Sequence, residues 1–343
     1  MPISRRTATA AAAVLAVALT ACSSDSNGAG STELAKAMSS VNGAGAAKTE
    51  FQFGDMKRLR ELGIADPKAK PVIDARWQLV VSYGAGRFTS LSIGLSKLIA
   101  LDILATDTMV TIGTPPNTAV RISGGVEKTA VTAKLKALGA KPRTFGGTSG
   151  LSLAPDNAIN RMPALANPGL LNDLNQVVVD DDSMTMSPNG ATLQQALGNR
   201  SSLLDADGYR DLADCLGDVI GADIRPAPPS DRNAAVYAVG VRDPGTKAGP
   251  DREVVCVLPR KGNSGAVHAA FAKNLALSAP DPITRAPISQ YLAKSKVGSI
   301  GEAVQAVLTA KSKTPIGYAL GSLLRGALPV LDGSCQPKPT RRC

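Results

Sequence analysis

Residues 236–277 read VYAVGVRDPGTKAGPDREVVCVLPRKGNSGAVHAAFAKNLAL, and the pattern in this stretch decides the fold class. Its apolar runs at 236–241 and 253–258 predict two strands, joined by a connection rich in Gly and Pro. The residues at 264–277 predict a helix directly behind the second strand. The stretch therefore predicts a pair of strands followed by a helix.

The order of strand, short loop and helix recurs along the chain, at 119–138, 254–277 and 303–326. A hairpin is predicted as well, with its two strands at 177–179 and 184–186. Because hairpins are mixed with the strand–loop–helix units, the sequence predicts the α+β class. We expect mixed or antiparallel sheets with packed helices, and not a strictly alternating parallel sheet.

Periodicity predicts the remaining elements, which fall on both sides of residue 200. Further strands are predicted at 77–83, 110–112, 120–122 and 304–310. Further helices are predicted at 56–62, 126–138, 192–197, 207–220 and 316–325, together with a helical stretch after Pro287. Residues 225–233 contain three prolines and are predicted to form a linker or loop.

The first residues have the order of a secretory signal. Arg5 and Arg6 precede the small and apolar run 10–19, which is too short to span a bilayer as a helix. Leu19-Thr20-Ala21-Cys22 follows and resembles the lipobox of bacterial lipoproteins. The resemblance implies lipidation of the Cys22 thiol by diacylglycerol and cleavage before Cys22. An ordinary signal peptide is the alternative, and the export route is left open.

The composition, with few Lys relative to Ala and many Gly and Pro, is similar to that of uncharacterised actinobacterial lipoproteins. The resemblance implies a protein held by lipid at the outer face of the bacterial cytoplasmic membrane. We expect a signal peptide at 1–21 and a flexible tether at 22–48, with a short helical turn inside it. Two α+β domains, 49–200 and 201–343, are predicted to follow, with one single domain as the alternative.

The four cysteines that remain after Cys22 indicate disulfides, because an even number outside the cytosol is typical of paired cysteines. Three connectivities are possible. We favour Cys215 with Cys256, since one lies in a predicted helix and the other in a predicted buried strand. Cys335 and Cys343 would then close a small loop. No cysteine spacing suits zinc, and no metal or cofactor is predicted.

The formal net charge is +10, and removal of Arg5 and Arg6 with the signal peptide leaves +8. Such a charge favours contact with anionic lipids or an anionic wall polymer. The densest basic cluster, Lys57, Arg58 and Arg60, is interpreted as a solvated helix face. Nucleic acid is excluded as a partner by the compartment and by the aromatic content of 3%, which offers few stacking platforms.

Each enzyme motif lacks a required residue. Ser149 lies in a sequence like a nucleophile elbow, but Leu151 replaces the second glycine. His268 is the single histidine and has no near partner. The three consecutive aspartates 180–182 do not follow the alternate spacing of a calcium loop and are interpreted as a charged turn.

Two glycine pairs resemble parts of phosphate-binding turns. Gly84 and Gly86 follow a predicted strand, but Thr89 occupies the position of the third glycine of a dinucleotide-binding motif. Gly124 and Gly125 are interpreted as a helix entry turn.

The sequence therefore predicts a membrane-anchored lipoprotein that is a non-enzymatic envelope binding or scaffold module. Its expected partners are the membrane, through Cys22, and an envelope protein or wall polymer. The alternatives are a solute-binding lipoprotein and a surface enzyme with a carboxylate-based site.

Overall fold

The structure, a computed structural model, describes residues 32–66, 72–166, 169–198, 201–312, 314–326 and 328. Its strands are β1 (Phe51–Asp55), β2 (Thr108–Ile112), β3 (Ala119–Ser123), β4 (Lys141–Phe145), β5 (Thr148–Ser152), β6 (Gln176–Val179), β7 (Ser183–Ser187), β8 (Val219–Pro226), β9 (Ala234–Arg242), β10 (Arg252–Pro259), β11 (Leu292–Ile300) and β12 (Ala303–Ala310). All of these described strands join one sheet of twelve, in the order β11-β12-β10-β9-β8-β1-β2-β3-β7-β6-β5-β4. Every neighbouring pair is antiparallel.

The helices are distributed along the whole chain, which confirms the predicted α+β class. They are α1 (Glu33–Ser39), α2 (Ala46–Thr49), α3 (Met56–Glu61), α4 (Gln78–Val81), α5 (Ser92–Ile99), α6 (Lys128–Ala137), α7 (Pro163–Ala166), α8 (Gly190–Ala196), α9 (Tyr209–Leu216), α10 (Ser264–Asn274) and α11 (Tyr318–Leu324). Short 3₁₀ helices lie at Ala75–Trp77, Gly86–Leu91, Ile103–Ala105 and Ile288–Gln290. The three predicted strand–loop–helix units are present as β3–α6, β10–α10 and β12–α11.

The sheet is buried on both faces. Val254 and Cys256 of β10 belong to the core on the side of α9, whereas Val255 and Val257 belong to the core on the side of α10. We call these sides the α9 face and the α10 face. Burial on both sides explains why the central strands are nearly continuous apolar runs and not alternating ones.

Strand β1 lies in the middle of the sheet and joins its two halves. It pairs with β2 in one half, which contains β1–β7, and with β8 in the other half, which contains β8–β12. The boundary predicted near residue 200 falls between β7 and β8. The two predicted domains thus correspond to two halves of one sheet, and we call the β1–β8 contact the seam.

The segment predicted as a tether differs from the structure from Thr32 onward, because α1 and α2 cover the seam on the α9 face. Leu34 and Met38 are fully buried, one helical turn apart, and Val41 is buried behind them. The Thr32 hydroxyl accepts a hydrogen bond from the amide of Ala35 at 3.1 Å and caps α1. The short helical turn predicted inside this segment is present as α1, whereas the Ser, Gly and Ala content gave no sign that it packs on the sheet. Residues 22–31 lie outside the described residues.

On the α10 face, the backbone of Tyr83 and Gly84 crosses the seam in close contact with the strands. A Cβ atom on Gly54 of β1 would collide with the carbonyl oxygen of Tyr83. A Cβ atom on Gly221 of β8 would meet the Tyr83 ring at 2.9 Å. Glycine is therefore required on both strands of the seam because another part of the backbone occupies the space.

We expect Gly54→Ala to lower the free energy of unfolding by about 1–3 kcal/mol, because the added methyl group has no space beside the Tyr83 backbone. The matched control is Gly298→Ala in β11, where no atom lies within 4 Å of the added Cβ. The control should change stability by no more than about 0.5 kcal/mol. Urea denaturation followed by the fluorescence of Trp77, the single tryptophan, measures both. Equal effects of the two substitutions would contradict the close crossing.

Helix α11 is attached to the sheet by a buried carboxylate. Glu253 of β10 accepts backbone hydrogen bonds from Gly317 and Tyr318 at 2.9 Å and from Ala319 at 2.6 Å. Burial raises the pKa of Glu253, and the three N–H donors oppose that rise by favouring the charged form. These three donors open α11 and have no partner within the helix.

Two predicted elements are wrong. The predicted strand 77–83 is helical, since Trp77, Val80 and Val81 are buried at helical spacing while Leu79 is 40% exposed. The helical stretch predicted after Pro287 is mainly the strand β11. A strand at the sheet edge carries Lys and Ser at exposed positions, and this composition resembles that of a surface helix.

The predicted helix 207–220 is shorter in the structure. Helix α9 ends at Leu216, and Gly217 adopts a positive φ of 69°. Val219 and Ile220 then begin β8, which extends into the predicted linker as far as Pro226. Their apolar side chains continued the helical pattern in the sequence, although Gly217 ends the helix.

Candidate functional site

A cleft of about 420 Å³ lies on the α9 face, between residues 42–45, helix α8 and the turn that joins β4 to β5. This volume is within the range of about 300–1,000 Å³ that is typical of small-molecule sites. We call it the amide cleft. It is lined by Asn42, Ala44, Gly45, Gly146, Ala191, Gln194 and Gln195.

Backbone and side-chain hydrogen bonds hold the walls of the amide cleft together. The Gln195 side-chain oxygen accepts from the amide of Ala46 at 2.7 Å, and its backbone carbonyl accepts from the amide of Asn42 at 2.9 Å. The Asn42 side-chain oxygen accepts from the amide of Ala44 at 3.0 Å. Helix α8 itself is capped by Asn189, whose side-chain oxygen accepts from the amide of Thr192 at 2.8 Å.

The opposite wall is the tip of the β4–β5 hairpin. Gly146 and Gly147 have φ values of 57° and 93°, as a two-residue hairpin turn with both central residues at positive φ requires. Gly146 and Gly147 are thus the two central residues of the turn that joins β4 to β5. A Cβ atom on Gly146 would lie 3.0 Å from the Gln194 side-chain oxygen, so glycine keeps this wall open.

The lining of the amide cleft is polar without being charged. Its polar side chains are Asn42, Gln194 and Gln195, and each amide can both donate and accept hydrogen bonds. Within the described residues, the Gln194 amide group makes no hydrogen bond. The arrangement suits an uncharged ligand with its own donors and acceptors. The lining residues include neither a nucleophile with a base nor a pair of carboxylates.

The disulfide predicted between Cys215 and Cys256 is present, and it joins α9 to β10 across 41 sequence positions. Both residues are fully buried on the α9 face. The predicted lipidation site Cys22 and the predicted pair Cys335 and Cys343 lie outside the described residues.

The residues considered for a hydrolase are far apart. Ser149 lies in β5, whereas His268 lies in α10, which packs on β10, β11 and β12. Strands β5 and β10 are eight strand positions apart in the sheet.

The three aspartates lie in the tight turn between β6 and β7, as predicted. The amide of Asp180 donates to the carbonyl of Ser183 at 2.8 Å and closes the turn. The Asp181 carboxylate pairs with Lys128 at 2.9 Å, and its side chain is 95% exposed. Among the described residues, no group of three or more His, Cys, Asp or Glu residues is placed to hold a metal ion.

The glycine pairs are used in packing and turns. A Cβ atom on Gly84 would collide with the carbonyl of Met109, so Gly84 serves the close crossing of the sheet. Gly124 and Gly125 form the predicted entry turn, and two residues separate them from Lys128, where α6 begins. The Gly124 amide already donates to the carbonyl of Asp182 at 2.9 Å.

The basic cluster of α3 binds neighbouring protein groups. Arg58 pairs with Asp243 at 2.5 Å, in the connection between β9 and β10. Arg60 pairs with Asp107 at 2.9 Å. These two arginines attach α3 to both halves of the sheet, so the predicted solvated face applies only in part.

Burial raises the pKa of carboxylates at two places, at the start of α3 and at the seam. Burial raises the pKa of Asp55, which caps α3, to about 6, and nearby carboxylates add to the rise. Ionisation of Asp55 therefore opposes folding as the pH rises through about 6.

Burial also raises the pKa of Asp223, which bonds to Arg225 at the seam. Arg225 in turn bonds to Glu50 at 3.0 Å, so this network joins β8 to the start of β1.

No family model matches the chain, and no curated protein matches it. Among solved structures, it is similar to crystal form III of TP0453, with 8% identity and a TM-score of 0.41, covering 83% of this chain and 97% of that one. Crystal form IV of TP0453 has 9% identity and a TM-score of 0.42, covering 83% and 95%. A likeness at this level carries no information on function.

The sequence reasoning missed the residues that line the amide cleft. Asn42 lies in the predicted tether, and Gln194 and Gln195 lie inside a predicted helix without any motif. The sequence feature that could have indicated these residues is the pair Gln194-Gln195, which lies shortly before Gly198. Neutral amides are common on helix surfaces, so this signal has little specificity.

Proposed function

We propose that this chain is a lipid-anchored, extracytoplasmic envelope protein that acts as a non-enzymatic binding or scaffold module. The observation that carries the proposal is the lipobox Leu19-Thr20-Ala21-Cys22, which lies a short distance in sequence before the folded body. Nine residues, 23–31, separate Cys22 from Thr32, where the cap of α1 begins.

This spacing determines how far the body can lie from the membrane. Ten residue steps span at most about 35 Å when fully extended. A body that began only at residue 49 would have had more than twice that reach. The two or three acyl chains that the lipobox implies would anchor the protein stably, since each buried CH₂ contributes about 0.8 kcal/mol. The proposed module therefore works close to the outer face of the cytoplasmic membrane.

The disulfide supports the extracytoplasmic part of the proposal. Stable structural disulfides are rare in the cytosol and common outside it. The Cys215–Cys256 bond lies in the core and joins a helix to the sheet, as in a structural disulfide. Within the described residues, no helix has the length and apolar character needed to cross a membrane.

A solute-binding lipoprotein is the second candidate, and the amide cleft favours it. The cleft has a suitable volume and a neutral lining of three amides. The ligand class that fits this lining is an uncharged molecule rich in hydroxyl or amide groups. Sugar rings are less favoured, since aromatic side chains for stacking are absent from the lining residues.

Mass spectrometry of the membrane-extracted protein tests the proposal. We expect a mature chain that begins at Cys22 and carries diacylglycerol on its thiol. Cys22→Ala should abolish lipid attachment and release the protein from the membrane fraction. The matched control Cys343→Ala should remain lipidated. A mature chain that begins at any other residue would overturn the proposal.

A further inference from the structure

The two edges of the described sheet differ in what they offer to another strand. At one edge, the amide of Leu153 donates to the carbonyl of Asn175, so the backbone groups of Leu153 face β6. Because these groups alternate in direction along a strand, this bond determines which residues of β5 face β6 and which face β4. The alternating pattern then directs Pro142 and Thr144 of β4 outward. Proline has no N–H group, so this edge has one outward donor, at Thr144. Proline at an edge position is a common protection against pairing with other strands.

Strand β11, at the other edge, contains no proline, and its register with β12 shifts only between Leu292 and Lys294, ahead of the residues discussed next. The amide of Ala310 donates to the carbonyl of Asp251, so the backbone groups of Ala310 face β10. Backbone groups of successive residues alternate in direction, so those of the preceding residue of β12, and of every second residue before it, face β11. It follows that Ser295, Val297 and Ser299 of β11 direct their N–H and C=O groups outward. The edge thus presents three donors and three acceptors in one row. Among the described residues, none of these six groups has a hydrogen-bond partner.

The side chains of β11 add a charge preference to this row. Lys294 and Lys296 are exposed and alternate along the strand, so both point to the α9 face. Val297 points to the opposite face and packs against the core there. An added strand with carboxylates at alternate positions would place them opposite the two lysines, where opposite charges across strands stabilise pairing.

We propose that the free edge of β11 binds an extended, acidic segment of a partner protein as a thirteenth strand. This inference rests on the proposed function and deepens it by stating the chemistry of the partner. Pairing through backbone groups supplies affinity, and the two lysines supply the preference for acidic sequences. A second copy of this chain is a poorer occupant, because two β11 strands would bring four lysines together on one face.

The probe is a fluorescent nine-residue peptide of alternating Glu and Val, with an alternating Lys and Val peptide for comparison. We expect the acidic peptide to bind the full-length lipoprotein at least tenfold more tightly than the basic peptide. Hydrogen exchange should slow at the amides of Ser295, Val297 and Ser299 when the acidic peptide is bound. Slowing elsewhere, with none in β11, would overturn the proposal.

Val297→Pro removes an outward donor without removing a hydrogen bond to β12, and it should weaken peptide binding at least tenfold. Val297→Thr keeps the donor and should bind as the unchanged protein does. Thr144→Pro, at the opposite edge, should have no effect. Unchanged binding by Val297→Pro would contradict the edge as the site.

Reversal of the charges with Lys294→Glu and Lys296→Glu tests the preference without altering the backbone. This double variant should prefer the basic peptide. A retained preference for the acidic peptide, or self-association through β11 in sedimentation, would overturn the acidic partner. The result is independent of lipidation at Cys22, so failure here leaves the anchored location intact.

Discussion

Replacing Glu253 by Gln is expected to lower the free energy of unfolding by about 3 kcal/mol, since buried N–H donors left without acceptors cost about 1–3 kcal/mol each. Glu253 accepts from the three backbone amides that open α11, and its side chain is buried. Glutamine has a single acceptor oxygen, and its NH₂ group would face at least one of the three donors. Glutamine is uncharged, so the variant avoids the cost of burying a carboxylate, and this gain offsets part of the lost stability.

Urea denaturation followed by Trp77 fluorescence is well suited to this variant. The amide of Ile316, just before α11, donates to the carbonyl of Arg76 at 2.9 Å, so Trp77 lies next to the affected segment. The matched control is Glu302→Gln, at an exposed position in the turn between β11 and β12. Equal stability of Glu253→Gln and the unchanged protein would show that Glu253 is already neutral in the folded state.

Removal of the disulfide by Cys215→Ala together with Cys256→Ala is expected to cost about 4 kcal/mol. The chain-entropy relation for a loop of 41 residues gives this magnitude, because the bond restricts the unfolded chain. At about 2.1 cal/mol/K per residue, the unfolding entropy of a chain of this size is about 0.7 kcal/mol/K, so the melting temperature should fall by about 6 °C. Calorimetry of the double variant measures both quantities.

Two controls accompany the disulfide variant. Non-reducing peptide mapping of the unchanged protein should recover Cys215 linked to Cys256. Cys335→Ala together with Cys343→Ala should cost less, because these residues are predicted to close a loop of only a few residues. A melting temperature that is the same in the Cys215/Cys256 double variant and in the unchanged protein would contradict a stabilising role.

The sequence was sufficient to predict the fold class and most strands, because alternation and turn residues are local signals. Val110, Ile112, Val120 and Ile122 predicted two paired strands, and all four are buried in β2 and β3. Trp77 was assigned to a strand because its run also alternates in polarity. Only the tertiary contacts of Val80 and Val81 select the helix there.

The site was predicted less well than the fold. Pairing of Cys215 with Cys256 followed from the predicted elements that hold them. The amide cleft joins residues 42–45, a hairpin tip and α8, and its lining residues Asn42 and Gln195 are 153 positions apart, so no local pattern reports such a convergence. The open edge at β11 was likewise hidden, since its outward groups follow from the register of β12 and not from residue type.

The central position of β1 has a consequence for how the chain reaches its folded state. Phe51 pairs with Ile224, 173 positions later, so one side of β1 has no partner until the chain has been made as far as β8. Contacts of such long range form slowly, and an unpaired apolar strand is prone to aggregate. Because α1 and the crossing at Tyr83 and Gly84 precede β8 in the chain, they can cover both faces of β1 before β8 is available. The early segments can therefore keep β1 covered until its last partner strand is available.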